Sequence, residues 1–302
     1  MPLLAGCETT IDVPEPAHTP SVALLLTLDN LDPNEALRRA SFVGRTPFVS
    51  VSQRGYDTRR LEGNDQAVIE VRDEVDQLVE RYRPVVPTPG APPSFQKGRY
   101  QPTQRYRFEP GRTYAVRVTV PDMVPAESRL TLPTLVPVQI SVMPLSSTGD
   151  QSRLRVTVAF DDPAAEGDYY LATARLVNAQ GEPIGSLQPV PDENGLNLPT
   201  FRISGLGTSS LNAFSDANVN GQRVSYSDDL QYSLGSVGNQ VAYLEVTLSH
   251  ITRDLYLFYT SYRRYSNSNG NPFSEPSPLY SNVTAGFGIF GGSTDASAQL
   301  RL

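Results

Sequence analysis

Three features of the sequence predict a mainly β protein built as two β-sandwich domains in tandem, the second carrying one helix. Apolar residues alternate with polar ones in several short runs. The 26 prolines and 22 glycines break the chain every few residues, which disfavours long helices and favours short strands joined by turns. With 302 residues, 39% hydrophobic and 19% charged, the chain is long enough for two ordinary domains and too apolar to stay disordered.

The elements follow in chain order. Residues 1–19 read as a leader remnant and tether, and strands are predicted at 22–28, 48–52 and 66–72. Thr113–Val120 puts Tyr114, Val116, Val118 and Val120 on one face, the period-two signature of a half-buried antiparallel strand. The same alternation recurs at Leu154, Val156, Val158 and Phe160, and again at Ala242, Leu244, Val246 and Leu248. Further strands are predicted at 138–143 and 169–177, spaced as in a β-sandwich. Gly286, Gly288 and Gly291 precede no helix and mark a closely packed closing strand rather than a phosphate-binding loop.

Two stretches break the strand pattern. Asp73 to Lys97 begins charged and runs into Pro84, Pro87, Pro89, Pro92 and Pro93, which predicts a long exposed excursion with polyproline character. Residues 252–265 predict the helix. Leu255, Phe258, Tyr259 and Tyr262 fall at helical spacing, Thr252 caps, Asp254 suits the first turn, and Asn267 to Asn271 with Gly270 ends it. The connector Leu132-Pro-Thr-Leu-Val-Pro-Val138 is stiffened by two prolines and divides a domain of 20–133 from one of 138–302.

The net charge of −7 counts against a nucleic-acid surface, which needs a basic face to displace counterions. The longest apolar run, 22–28, falls far short of the ~20 residues of a spanning helix. Cys7 is the sole cysteine, so an internal disulfide is excluded. Leu4-Ala5-Gly6-Cys7 resembles the lipobox of bacterial lipoproteins, in which the leader is cut before the cysteine and the cysteine is lipidated. The polar, proline-broken run Glu8–Pro20 then reads as an extended tether. Only six residues precede Cys7, so the true start is expected upstream.

Candidates for chemistry are few. Of the two histidines, His18 lies in the tether and His250 at a strand-to-helix junction, where a structural role is expected. The chain lacks a Gly-x-Ser-x-Gly elbow. Asp161-Asp162 and Asp228-Asp229 are adjacent pairs that a strand points to opposite faces, so neither reads as an acid/base pair. No catalytic residue and no cofactor are expected. Asp216-Ala-Asn218-Val-Asn220-Gly221 matches the first half of a calcium loop, but the expected glutamate position holds Ser227, with Asp228 one place late. The competing reading is an Asn-Gly turn between strands.

The C-terminal run carries Asn271-Pro-Phe-Ser-Glu-Pro276, Ser281-Asn282 and Gly286-Phe-Gly-Ile-Phe-Gly291 after a tyrosine-rich helix. It resembles the ending of a Bacteroidota lipoprotein family, domain of unknown function 4249. The runs AVIEV at 67–71, GRTYAVRVTVPD at 111–122 and FSDANVNG at 214–221 fit as well. The resemblance implies immunoglobulin-like β-domains, a lipid anchor on Cys7 in the outer membrane, exposed at the cell surface, and a TonB-dependent transporter as partner. The function expected is that of a non-catalytic accessory or structural subunit, the alternative being a stand-alone surface protein binding glycan or peptide. Candidate partner-binding residues are Pro84, Pro87, Pro89, Pro92 and Pro93 of the excursion, together with Phe273 and Tyr280.

Overall fold

Alternating strands fill both halves of the chain. A computed structural model describes residues 17–32, 45–54, 61–86, 97–164, 167–185, 187–190, 202–205, 211–233, 242–268 and 278–302. The first half forms β1 (Val22–Asp29), β2 (Phe48–Val51), β3 (Val68–Arg72), β4 (Leu78–Pro84), β5 (Tyr100–Pro102), β6 (Thr113–Thr119) and β7 (Ala126–Thr131). The second forms β8 (Gln139–Thr148), β9 (Gln151–Asp161), β10 (Tyr169–Val177), β11 (Pro183–Gly185), β12 (Gln188–Pro189), β13 (Ser204–Gly205), β14 (Ala213–Ser215), β15 (Arg223–Ser233) and β16 (Tyr243–Ile251). Helix α1 (Arg253–Ser268) and β17 (Gly286–Arg301) close the chain. The protein is mainly β, and α1 is the one helix among the described residues.

The strands assemble into three sheets. One runs β5-β4-β3-β6-β7, a second β12-β15-β9-β8, and the largest β11-β10-β16-β17-β1-β2, with β13 and β14 also on β10. Apolar faces meet in two large cores, and a smaller cluster lies under α1. Leu24, Leu26, Ile69, Val71, Val116 and Phe290 belong to the first, and Val156, Val158, Tyr170, Leu176, Leu244 and Val246 to the second. The residues predicted to share faces in β6, β9 and β16 point inward, because burying one face of each strand removes apolar surface from water.

The connector at 132–138 lies between the last strand of one half and the first of the other, yet β17 belongs to both. Its residues 286–293 pair in parallel with β1, and residues 293–301 pair antiparallel with β16. Val283 and Phe290 sit in the first core, so the expected 138–302 domain does not close on itself. The parallel join requires close approach. At Gly288 the backbone has φ +102° and a Cβ would stand 2.0 Å from the Leu24 carbonyl oxygen. The closing-strand reading of these glycines matches this packing.

Strands β10 and β16 are largely buried on both faces, and α1 packs over their ends, where Leu171, Ile251 and Ile289 cluster with Leu255. Thr252 caps α1, its Oγ1 accepting from the Leu255 amide at 3.4 Å. Leu255 is fully buried and Phe258 and Tyr259 are half-buried, whereas Tyr262 is exposed, which corrects the width of the expected apolar face. Asn282 fastens α1 to β17: its Oδ1 accepts from the Phe290 amide, and its Nδ2 donates to the Phe290 carbonyl and to Asp254.

The expected excursion from Asp73 is shorter than the sequence implies. Asp73 Oδ1 accepts from the Val75 and Gln77 amides to make a hairpin turn, and β4 follows on β3. The strand was masked by Glu80, a charged residue that points inward. It is fully buried, and its oxygens accept from the amides of Arg81, Thr103, Gln104 and Tyr106 at 2.8–2.9 Å. Glu80→Gln turns one acceptor into a donor facing an amide, so a loss of about 1.5–3 kcal/mol is expected. Urea denaturation of the two proteins measures it, and an unchanged midpoint would mean that the amides find other acceptors.

Candidate functional site

Sequence-distant carboxylates converge where β9 ends, β10 begins and the β14–β15 turn closes. Strand alternation sends Asp161 outward to Arg223 and Asp162 inward, as expected for the adjacent pair. Asp162 Oδ1 accepts from the Tyr170 hydroxyl at 2.5 Å and Oδ2 from the Gly221 amide at 2.8 Å. Asp216 is buried, and its Oδ2 accepts from the Gly167 amide at 3.2 Å. The Asp216 carbonyl also accepts from Val219 at 2.7 Å, which starts a turn that Gly221 completes at φ +68°. Asp168 leads into β10, and its backbone carbonyl accepts from the Asp216 amide. One oxygen each from Asp162, Asp168 and Asp216 lies within 4.8 Å of the others.

His250, buried in β16, faces an acceptor on each side. Its Nδ1 is 2.9 Å from the Thr134 carbonyl and its Nε2 is 2.9 Å from Asp168 Oδ1. These two contacts hold the imidazole ring from both sides. Burial pushes the Asp168 carboxyl above the usual range, opposed by His250 and reinforced by Asp162 and Asp216. Burial and the bond to Asp162 also raise the Tyr170 phenol. The Tyr170 ring stacks on His250 at 5.0 Å and lies 4.8 Å from Phe160, which gives the cluster a stiff floor.

Asp168 Oδ2 and Asn220 Oδ1 are both buried without a hydrogen-bond partner. A buried polar atom left so carries its full desolvation penalty. The arrangement presents several oxygens, and their hydrogen-bond partners include no ammonium or guanidinium, which suits an oxygen-liganded cation.

The residues singled out in the sequence separate here. Asp216 joins the cluster, Asn220 stands one residue before the Gly221 amide that holds Asp162, and Asn218 is exposed. Residues 216–227 do not form the expected twelve-residue calcium loop, because β15 begins at Arg223. Ser227 hydrogen-bonds Thr157 across strands, and Asp228 accepts from Arg202 and the Ile203 amide. Asp162 and Asp168 were not legible as site residues, since only the fold brings them to Asp216. Pro84 ends β4 opposite Tyr100. Tyr280 turns toward its own chain, its hydroxyl donating to Asp254 and its amide to Ser261. Cys7, Pro87, Pro89, Pro92, Pro93 and Phe273 lie outside the described residues.

Residues 45–299 match the family described as Domain of unknown function (DUF4249). The chain belongs to this family. No curated protein matches it. The DUF4249 match covers β17 as far as residue 299, the Asn282 fastener and the whole carboxylate cluster.

Proposed function

We propose that this DUF4249 protein is a lipid-anchored, non-catalytic subunit of an outer-membrane complex: a Bacteroidota lipoprotein of immunoglobulin-like domains serving a TonB-dependent transporter at the cell surface. The observation that carries the reading is the shared strand. Because β17 is hydrogen-bonded into both halves, the body is a stiff unit suited to holding a partner at a fixed position. The lipobox-like Leu4–Cys7 and its polar tether supply the anchor. His250 and Asp228 are each held by structural partners, which supports a non-catalytic role.

Acyl chains contribute roughly 0.8 kcal/mol per buried CH₂, so the several chains of a mature lipoprotein hold firmly. Cys7→Ser in the full-length gene is expected to move the protein from the membrane pellet to the soluble fraction. Purification of the native protein in mild detergent is expected to bring down a stoichiometric outer-membrane protein, lost when residues 84–93 become a Gly/Ser linker. A Cys7→Ser protein that stays in the pellet would sink the anchor. One specific observation favours the alternative, a surface protein that binds glycan or peptide. An open cleft of about 770 Å³ is lined by His18, Ser52, Gln53, Glu62, Asn64 and Lys97. A native protein that elutes alone and retains an oligosaccharide or peptide would favour that reading.

A further inference from the structure

We propose that Asp162, Asp168, Asp216 and Asn220 bind one calcium ion, a role that stands apart from the membrane function above. Charge is the first argument. Two of the three carboxylates are more than nine-tenths buried, Asp162 at 7% and Asp216 at 3% exposed. The partners of the Asp162 and Asp216 carboxylates are a tyrosine hydroxyl and backbone amides, none of which carries a positive charge. A divalent cation would neutralise both, and two carboxylates this close are costly to keep ionised in a buried site without one.

The second argument is independent of the acidic residues. Asn220 is neutral, yet its Oδ1 is buried with no donor. It stands immediately before the Gly221 amide that holds Asp162, so the same turn that fixes one carboxylate brings in a free carbonyl oxygen. Asp168 Oδ2 is likewise buried and unpaired, its other oxygen being used by His250. The Asp162 and Asp216 oxygens that accept one hydrogen bond each keep a second lone pair for a metal.

The donor set narrows the choice of metal. All four side chains offer oxygen, and both His250 nitrogens are occupied, which disfavours zinc and suits a hard cation. Two ligands on one sphere stand at most twice the metal–oxygen distance apart, about 4.6–5.2 Å for calcium and about 4.0–4.2 Å for magnesium. The carboxylate oxygens lie within 4.8 Å of one another, which a calcium sphere accommodates, and the flexible coordination of calcium suits a site built from three separate segments. The ion would tie the end of β9, the start of β10 and the β14–β15 turn at one point.

The test uses the full chain, stripped with a chelator and desalted. Calcium at about 100 times its dissociation constant raises the folded-to-unfolded ratio about 100-fold, so the melting midpoint is expected to climb by several degrees. Magnesium at the same concentration and ionic strength should shift it less. Terbium, a calcium surrogate, should give tyrosine-sensitised emission through Tyr170 that calcium competes away. Asp216→Asn keeps the shape and the Gly167 contact, and is expected to lose both signals. Should that variant fail to fold, Asn220→Ala, at a partly exposed position, is expected to weaken calcium about tenfold while the stripped protein melts as before. No calcium shift in a folded wild-type protein, equal shifts from both metals, or unchanged affinity in the variants would each overturn the assignment.

Discussion

Arg45→Met is expected to destabilise the protein by about 3–5 kcal/mol, the cost of leaving one member of a buried ion pair uncompensated. Arg45 Nη1 donates to Asp295 Oδ2 at 2.7 Å and Nη2 to Ser249 Oγ at 3.0 Å, with side chains 3% and 2% exposed for the charged pair. Burial pushes the Tyr259 phenol up, and its hydrogen bond and charge interaction with the Arg45 guanidinium oppose that rise. One side chain therefore links the lead-in to β2 with β16, β17 and α1. Removing it strands the Asp295 carboxylate, whose Oδ1 already lacks a partner. The second substitution Asp295→Leu in the Arg45→Met background should restore more than half of the loss, because a buried pair exchanged for apolar groups is often neutral. Denaturant midpoints of the single and double variants measure this. A single variant within about 1 kcal/mol of wild type would mean that water reaches the pair.

Gly288→Ala is expected to cost more than about 3 kcal/mol, or to abolish folding. Two penalties combine there. The residue holds φ +102°, and its Cβ would meet the Leu24 carbonyl oxygen at 2.0 Å and its carbon at 2.9 Å. Those atoms are backbone in a paired strand and cannot swing aside as a side chain would. Gly111→Ala is the control: φ is +80°, but nothing lies within 4 Å, so only the left-handed backbone penalty of about 1–2 kcal/mol applies. Melting curves of the two variants should differ clearly. Equal, small shifts would show that β1 and β17 separate without cost.

What was legible in the sequence was the periodic part of the fold. β1, β6, β9, β10 and β16 carry apolar residues at every second position or in continuous runs, and the structure places them at the expected residues. Strands β4 and β15 were hidden by inward charges, Glu80 and Asp228, whose burial depends on amides and an arginine supplied from elsewhere in the chain. The C-terminal half of β17 was hidden for another reason. Gly292-Ser-Thr-Asp-Ala-Ser-Ala is small and polar, and its first four residues are buried because neighbours crowd them rather than because they are apolar. The carboxylate cluster is half legible. The turn residues Asp216 and Asn220 stand in a recognisable spacing, whereas Asp162 and Asp168 reach them only through the register of β9, β10 and β14.

The parallel join of β1 to β17 also decides how the molecule carries a mechanical load. A pull on the chain ahead of Val22 draws β1 along its own axis, while β16 grips the far end of β17 from Tyr243↔Arg301 to Ile251↔Ser293. The two strands are then dragged in opposite directions along their length. Every pair from Val22↔Gly286 to Asp29↔Ser293 bears the strain together, as in a lap joint under shear. A hairpin pulled open from its tip would instead yield one pair at a time. Tension arriving from the N-terminal side is thus shared across the whole seam and passed directly into the second half of the protein.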